Sequence, residues 1–167
     1  MRILVAGVGN VFLGDDGFGV AVARHLAGAG LPGEVEVRDF GIRGVHLAYE
    51  LTGGGYDATI LVDAVSRGGP PGTLYVLEPS VGDIPGSFAD AHSMMPGTVL
   101  SLAGVLGGKA GRVLLVGCQP ADTSPGVELS PPVADAVARA ADLVVELAGQ
   151  QIAMALTTAG HEGERTR

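Results

Sequence analysis

Two adjacent carboxylates, Asp15 and Asp16, sit inside the glycine-punctuated stretch Gly7-Val8-Gly9-Asn10-Val11-Phe12-Leu13-Gly14-Asp15-Asp16-Gly17-Phe18-Gly19. The stretch leaves the apolar run Ile3-Leu4-Val5-Ala6 and enters a helical pattern from Val20 to Leu26, the place where α/β proteins put ligands. Asp39 and Asp63 each end a further strand-like segment. In a parallel sheet Asp16, Asp39 and Asp63 would therefore share one edge. Carboxylates gathered at one rim repel unless a cation, a proton or hydrogen bonds compensate them, and a metal site is one solution. His92, in a long polar loop, could add an imidazole, giving an oxygen-plus-nitrogen donor set suited to nickel, zinc or iron. Taken alone, Asp63 reads equally well as a helix-capping or loop-tethering aspartate, and His92 more readily as an exposed histidine. Either Asp15 or Asp16 is placed to cap the first helix.

Other chemistries fit less well. Gly7-x-Gly9 after a strand is the start of a dinucleotide loop, but Phe12 holds the third glycine position and Gly14 comes too late. The aspartate pair would also repel a pyrophosphate at that helix start. Cys118 ends the fifth strand and reads as a buried, inert thiol. There is no serine nucleophile elbow. His25 reads as a helix-surface residue, His46 as one that caps or lines the second loop and His161 as part of the tail, and none of the three is a candidate ligand.

The elements that must position these groups follow from the apolar pattern. Arg2–Ala6 is a solid apolar strand, followed by a helix from Gly17 to Ala29. Strand two is Glu34–Asp39, and Val45–Leu51 is a short helix stopped by Gly53-Gly54-Gly55. Strand three, Ala58–Val62, ends in Asp63. The link to strand four, Thr73–Leu77, is too short for a parallel crossover, so strand four should run antiparallel to strand three as an edge hairpin. A loop carrying Asp83, Asp90 and His92 leads to a helix over Thr98–Leu106, and Arg112–Val116 is strand five. Ser130-Pro131-Pro132 opens a last helix running to about Ala148 or on towards Leu156. The fold expected is a three-layer α/β/α domain over 1–156. Its five-stranded twisted sheet is mostly parallel with one antiparallel edge strand, and helices cover both faces. Residues 157–167 read as a frayed, disordered tail.

Composition narrows the class. The chain has 167 residues, 47% hydrophobic and 17% charged, enough for one domain with a real core. A net charge of −8 argues against nucleic acid and anionic membrane as partners. A single cysteine forbids an internal disulfide, and no apolar run reaches membrane-spanning length. Asn10, Asp15 and Asp16 arrive too soon for an export signal, so a cytoplasmic location is expected.

Gly7-Val8-Gly9-Asn10 with Leu13-Gly14-Asp15-Asp16-Gly17-x-Gly19 resembles the opening of the hydrogenase maturation endopeptidases. These cytoplasmic proteases remove a C-terminal peptide from the large subunit of nickel–iron hydrogenases. Leu61-Val62-Asp63-Ala64 followed by Pro71-Gly72-Thr73 resembles the family's third strand and hairpin. His92 before Leu100-Ser101-Leu102, then Gly117-Cys118-Gln119-Pro120 and Leu129-Ser130-Pro131-x-Val133, resemble its later landmarks, in order over residues 1–147. The resemblance implies a metal bound by Asp16, Asp63 and His92. That metal would be the nickel already inserted into the precursor, supplied by the substrate rather than held permanently. Asp15 is then the better helix cap. The family often carries a glycine pair with threonine in the second loop, whereas this chain has Asp39-Phe40-Gly41-Ile42-Arg43-Gly44. Asp39, Gly41, Arg43 and Gly44 are candidates for substrate contact, and the departure bears on which hydrogenase is processed more than on the activity.

The resulting expectation is endoproteolysis of a large-subunit precursor, directed by nickel through catalytic Asp16, Asp63 and His92. Two readings from other classes stand beside it. One is a nonproteolytic, metal-binding or chaperone-like hydrogenase assembly factor; the other is a small-molecule hydrolase or nucleotide binder.

Overall fold

The computed structural model describes residues 1–79 and 111–164, the last five by backbone alone. The strands are β1 (Ile3–Val8), β2 (Val35–Gly41), β3 (Ala58–Ala64), β4 (Leu74–Leu77) and β5 (Arg112–Cys118). The helices among the described residues are α1 (Phe18–Leu26), α2 (Gly44–Gly53) and α3 (Pro131–Glu164). A short 3-10 turn, Gly14–Gly17, leads into α1. The expected helix over Thr98–Leu106 and the loop bearing Asp83, Asp90 and His92 lie outside the described residues.

The strands form one sheet in the order β2-β1-β3-β5-β4. β1 pairs in parallel with both β2 and β3, and β3 in parallel with β5. All six residues of β1 are buried, as are the first six of β3. That is why these two segments read as unbroken apolar runs rather than alternating ones.

Each face of the sheet has its own core. On one, Ile3, Val5, Ile60 and Val62 pack against Phe18, Val22 and Leu26 of α1 and Val133, Ala136, Ala140 and Val144 of α3. On the other, Leu4, Ala6, Val8 and Leu61 meet Leu47, Ala48 and Leu51 of α2. Helices thus cover both faces of a mixed, mostly parallel sheet. α3 is longer than its sequence suggests and carries on through 157–164, where a frayed tail was the expectation. Among the described residues, no helix is long and apolar enough to cross a membrane.

One pairing differs from the sequence reading. β4 does run opposite to β3, but it does not form a hairpin with it. It pairs antiparallel with β5, Leu74 facing Cys118 and Leu77 facing Leu115, and β5 lies between it and β3. The burial explains the order: Val113 to Cys118 are all buried, whereas β4 is only partly covered. The longer, deeply buried strand holds the inner position, and the short, partly covered one the edge.

α1 sits close upon the sheet because of Gly19. A Cβ there would come within 2.0 Å of the Val62 carbonyl oxygen and 2.4 Å of that of Val8. Those contacts are with backbone and have nowhere to go. Gly149, on the exposed side of α3, faces open space instead. Gly19→Ala is expected to destabilise the protein by about 3 kcal/mol or more through overpacking. Gly149→Ala should stabilise it by roughly 0.5–1 kcal/mol through helix propensity. Urea unfolding of both variants checks the pair.

Candidate active site

The chain runs from β1 through α1 to β2 on one side, then returns through α2 to β3 on the other side of β1. The connections therefore diverge between β1 and β3. In open α/β sheets the crevice beyond the carboxyl ends of such strands is where ligands bind. Asp16 follows β1 and Asp63 closes β3, so both stand at this switch point.

Asp63 lies within the ladder rather than after it, since β3 extends to Ala64 and Asp63 pairs with Gly117. Its side chain is 4% exposed, and Asp63 Oδ1 accepts the Ala64 N–H at 2.8 Å. Asp16 is half-buried, and its Oδ2 accepts the Asn10 N–H at 2.8 Å. Asn10 turns the loop further by accepting the Phe12 N–H on its own Oδ1 at 2.9 Å. Gly9 lies between the two carboxylate-bearing segments with φ 133°. A Cβ on it would fall 1.8 Å from the Asp16 carbonyl oxygen and 3.6 Å from Asp63 Oδ1. Only glycine fits both that backbone and that space.

Electrostatics separate the two adjacent aspartates. Burial first, then the neighbouring Asp16 charge, push the Asp63 carboxyl well above the usual range, and the Ala64 N–H only partly offsets them. Asp15 is fully buried too, which alone would raise it, but hydrogen bonds from Asp122, Ser130 and Ala121 bring it below the ordinary value. The 3-10 turn therefore sends Asp15 inward to four hydrogen-bond donors, and Asp16 towards Asp63. Neither caps α1: the N-cap is Gly17, with no side-chain hydrogen bond. The capping role read for Asp15 is thus replaced by a tie to the segment before α3.

Asp39 reaches the same sheet edge but not the same cluster. It pairs with Gly7 on the far side of β1 from β3, about 10 Å from the level of Asp63 by strand spacing. Its carboxylate forms an ion pair with Arg24 at 3.5 Å. Arg43 donates from Nε to the Phe40 carbonyl at 3.1 Å and from its guanidinium tip to the Asp39 carbonyl. A groove of about 280 Å³ runs between the two loops, with Val11, Phe12, Val20 and Ile42 as apolar lining and Arg24, Asp39 and Arg43 as charged lining. Gly41 lines it as well, while Gly44 is the buried first residue of α2 and does not. Its size, at the lower end for ligand sites, suits one or two side chains. In the sequence Phe12 figures only as the residue that breaks a dinucleotide loop, and Arg24 not at all.

His92 lies outside the described residues. Among the described residues no three of His, Cys, Asp or Glu cluster as a metal site, so Asp16 and Asp63 stand as a pair. Two carboxylates are hard oxygen donors that suit a divalent cation in general, and an imidazole added to them would turn the set towards nickel, zinc or iron. Cys118 is no candidate nucleophile: burial above all, with the Asp15 charge second, pushes its thiol up to about 11. The neutral form resists attack on substrate.

The Asp63 shift carries a stability consequence. A folded-state pKa raised above the unfolded one means that ionised Asp63 works against folding. Its favourable contribution is complete below the unfolded pKa and disappears as pH rises through the folded one. Asp63→Asn should therefore raise the Tm of chelator-treated protein at pH 8, with the gain shrinking as pH falls towards about 4. Thermal unfolding across that range checks it; a difference independent of pH would contradict it.

The sequence model of a family described as HycI, hydrogenase maturation protease, matches residues 20–147. The hydrogenase 2 maturation protease of Escherichia coli K12 is 32% identical over 167 residues, spanning 97% of this chain and 94% of its own. A putative hydrogenase maturation protease of Methanocaldococcus jannaschii is 34% identical over 150 residues, spanning 87% and 92%. Among solved structures, the hydrogenase maturating endopeptidase HybD from E. coli superimposes with a TM-score of 0.76 at 30% identity, over 90% of this chain and 94% of that one. The hydrogenase 2 maturation peptidase of a Thaumarchaeota archaeon gives 0.69 at 38% identity, over 89% and 99%. Sequence and fold agree over most of both lengths, and the chain belongs to the hydrogenase maturation protease family of endopeptidases.

Proposed function

We propose that this endopeptidase removes the C-terminal extension of a nickel–iron hydrogenase large-subunit precursor after nickel has been inserted. Asp16, Asp63 and His92 are the residues that meet the nickel, which arrives as part of the substrate. The observation that carries this reading is the meeting of Asp16 and Asp63 across Gly9 at the switch point of the sheet. His92 enters on the resemblance of its sequence context.

A buried carboxyl raised first by its burial and then by the charge of a neighbouring carboxylate is poised for a cation. A divalent metal reaching them would favour the ionised form of both, because the cation supplies the compensation that the site lacks. Bound there, nickel could polarise the scissile carbonyl or lower the pKa of an attacking water. In either case the chain's part is to offer oxygen donors from one rigid edge and to hold the peptide beside them.

The groove between the first and second loops is a seat for that peptide. Phe12 and Ile42, 68% and 61% exposed, present apolar surface at its rim, and Arg24 and Arg43 bring positive charge to an otherwise acidic protein. Asp39, Gly41 and Arg43 act in this reading as substrate contacts. Gly44 acts behind them by starting α2.

The test is mass spectrometry of purified precursor, loaded with nickel or free of it, after incubation with the protein. Loss of a C-terminal peptide is expected from the nickel-loaded form alone; equal cutting of both forms would remove nickel recognition. Asp16→Ala and Asp63→Ala should each slow cleavage by on the order of 100-fold or more, the scale of losing one electrostatic group in an active site. Arg43→Ala should act differently, raising the protein concentration needed for half-maximal cleavage with little change in the rate at saturation.

A further inference from the structure

Asp15 is a fully buried carboxylate that the proposed reaction does not use. It accepts from the N–H of Ala121 at 2.8 Å, of Asp122 at 3.0 Å and of Ser130 at 2.7 Å, and from the Ser130 hydroxyl at 2.8 Å. These donors are more than a hundred residues away in sequence. The main chain reinforces the join: Asp15 N–H donates to the Asp122 carbonyl, Gly14 N–H to that of Gly126, and Gly126 N–H to that of Phe12. The segment 121–130 is thereby fastened along the back of the loop that carries Asp16.

We infer that Asp15 is a positioning residue for Asp16, holding the turn Gly14–Gly17 against residues 121–130 so that the Asp16 carboxylate stays aimed across Gly9 at Asp63. The inference rests on the reading of Asp16 as a working carboxylate. The turn has four residues and is closed by the Asp16 N–H on the Leu13 carbonyl at 3.1 Å. So short a turn has no slack to absorb a displacement of Asp15. Any shift passes to Asp16, and from there to the Asn10 N–H that its Oδ2 accepts. α1 holds Asp15 only through the main chain, Phe18 N–H donating to the Asp15 carbonyl, and makes no claim on its carboxylate, since Gly17 is the N-cap without a side-chain bond. Ser130 has a double part, donating to Asp15 while its carbonyl accepts from Val133 and Ala134 at the start of α3. The anchor is therefore the longest helix of the described residues.

Asp15→Asn keeps the shape of the side chain but turns an amide N–H₂ towards backbone donors that need an acceptor. The amide proton of Asn10 reports on Asp16 without any reference to activity. In two-dimensional NMR of the variant, the resonances of Ala121, Asp122 and Ser130 should shift, and the Asn10 amide should shift with them. Cleavage of nickel-loaded precursor should slow at least about tenfold at saturating protein, with the half-saturating concentration within about twofold of wild type. An Asn10 amide that stays in place while the other three move overturns the positioning. A displaced Asn10 amide with wild-type cleavage overturns instead the part given to Asp16 in the reaction, and the inference falls with it. Should Asp15→Asn not fold, Ser130→Ala removes one of the four donors and leaves Asp15 in place. It should move the Asn10 amide in the same sense by less, and an unmoved amide overturns the inference equally.

Discussion

Two carboxyl groups, Asp16 and Asp63, stand at the ends of neighbouring buried strands, and much of the local structure exists to keep them there. Like charges repel more strongly where water is excluded, and left to itself a flexible loop would relax that by turning one carboxylate to solvent. Here it cannot. Asp63 is fixed by its place in the β3–β5 ladder, and Asp16 by a tight turn whose approach requires Gly9. Burial first, and the Asp16 charge after it, raise the Asp63 carboxyl. This is the property that makes the pair receptive to a cation and costly without one.

The rest of the fold supplies the rigidity. Apolar packing on both faces of the sheet holds β1 and β3 in register, so that Gly7 is level with Val62 and the two carboxylates emerge side by side. Gly19 lets α1 press onto that junction. The groove proposed to seat the peptide lies one strand over, where Asp39 is already paired with Arg24. In the proposed reading, this separation of the carboxyl pair from the arginine-lined groove keeps the guanidinium groups from neutralising the site.

Much of this was legible in the sequence. β1 and β3 appear as apolar runs because both faces of each are covered, and the carboxylates after them inherit a position from the topology alone. The hydrogenase maturation family could be recognised from the same glycine and aspartate spacing. What escaped the sequence depends on distant partners. Link length gave the direction of β4 but not its neighbour, because the choice between β3 and β5 turns on how deeply β5 is buried. Asp15 looked like a helix cap since its acceptors' partners, Ala121, Asp122 and Ser130, lie far along the chain. Asp39 seemed one of three clustered acids because strand ends show which edge a residue reaches, not that β1 stands between it and Asp63. α3 ran past its expected end through 164, since a polar helix surface and a frayed tail have similar compositions.

The central claim is that this protein's own carboxylates reach the nickel of its substrate. X-ray absorption at the nickel edge tests that most directly, on nickel-loaded precursor alone and on the same precursor rapidly frozen with the protein. The account predicts additional oxygen or nitrogen neighbours around nickel in the mixture, absent when the protein carries Asp16→Ala together with Asp63→Ala. A nickel environment identical with and without the wild-type protein, in a sample that goes on to be cleaved, would contradict it.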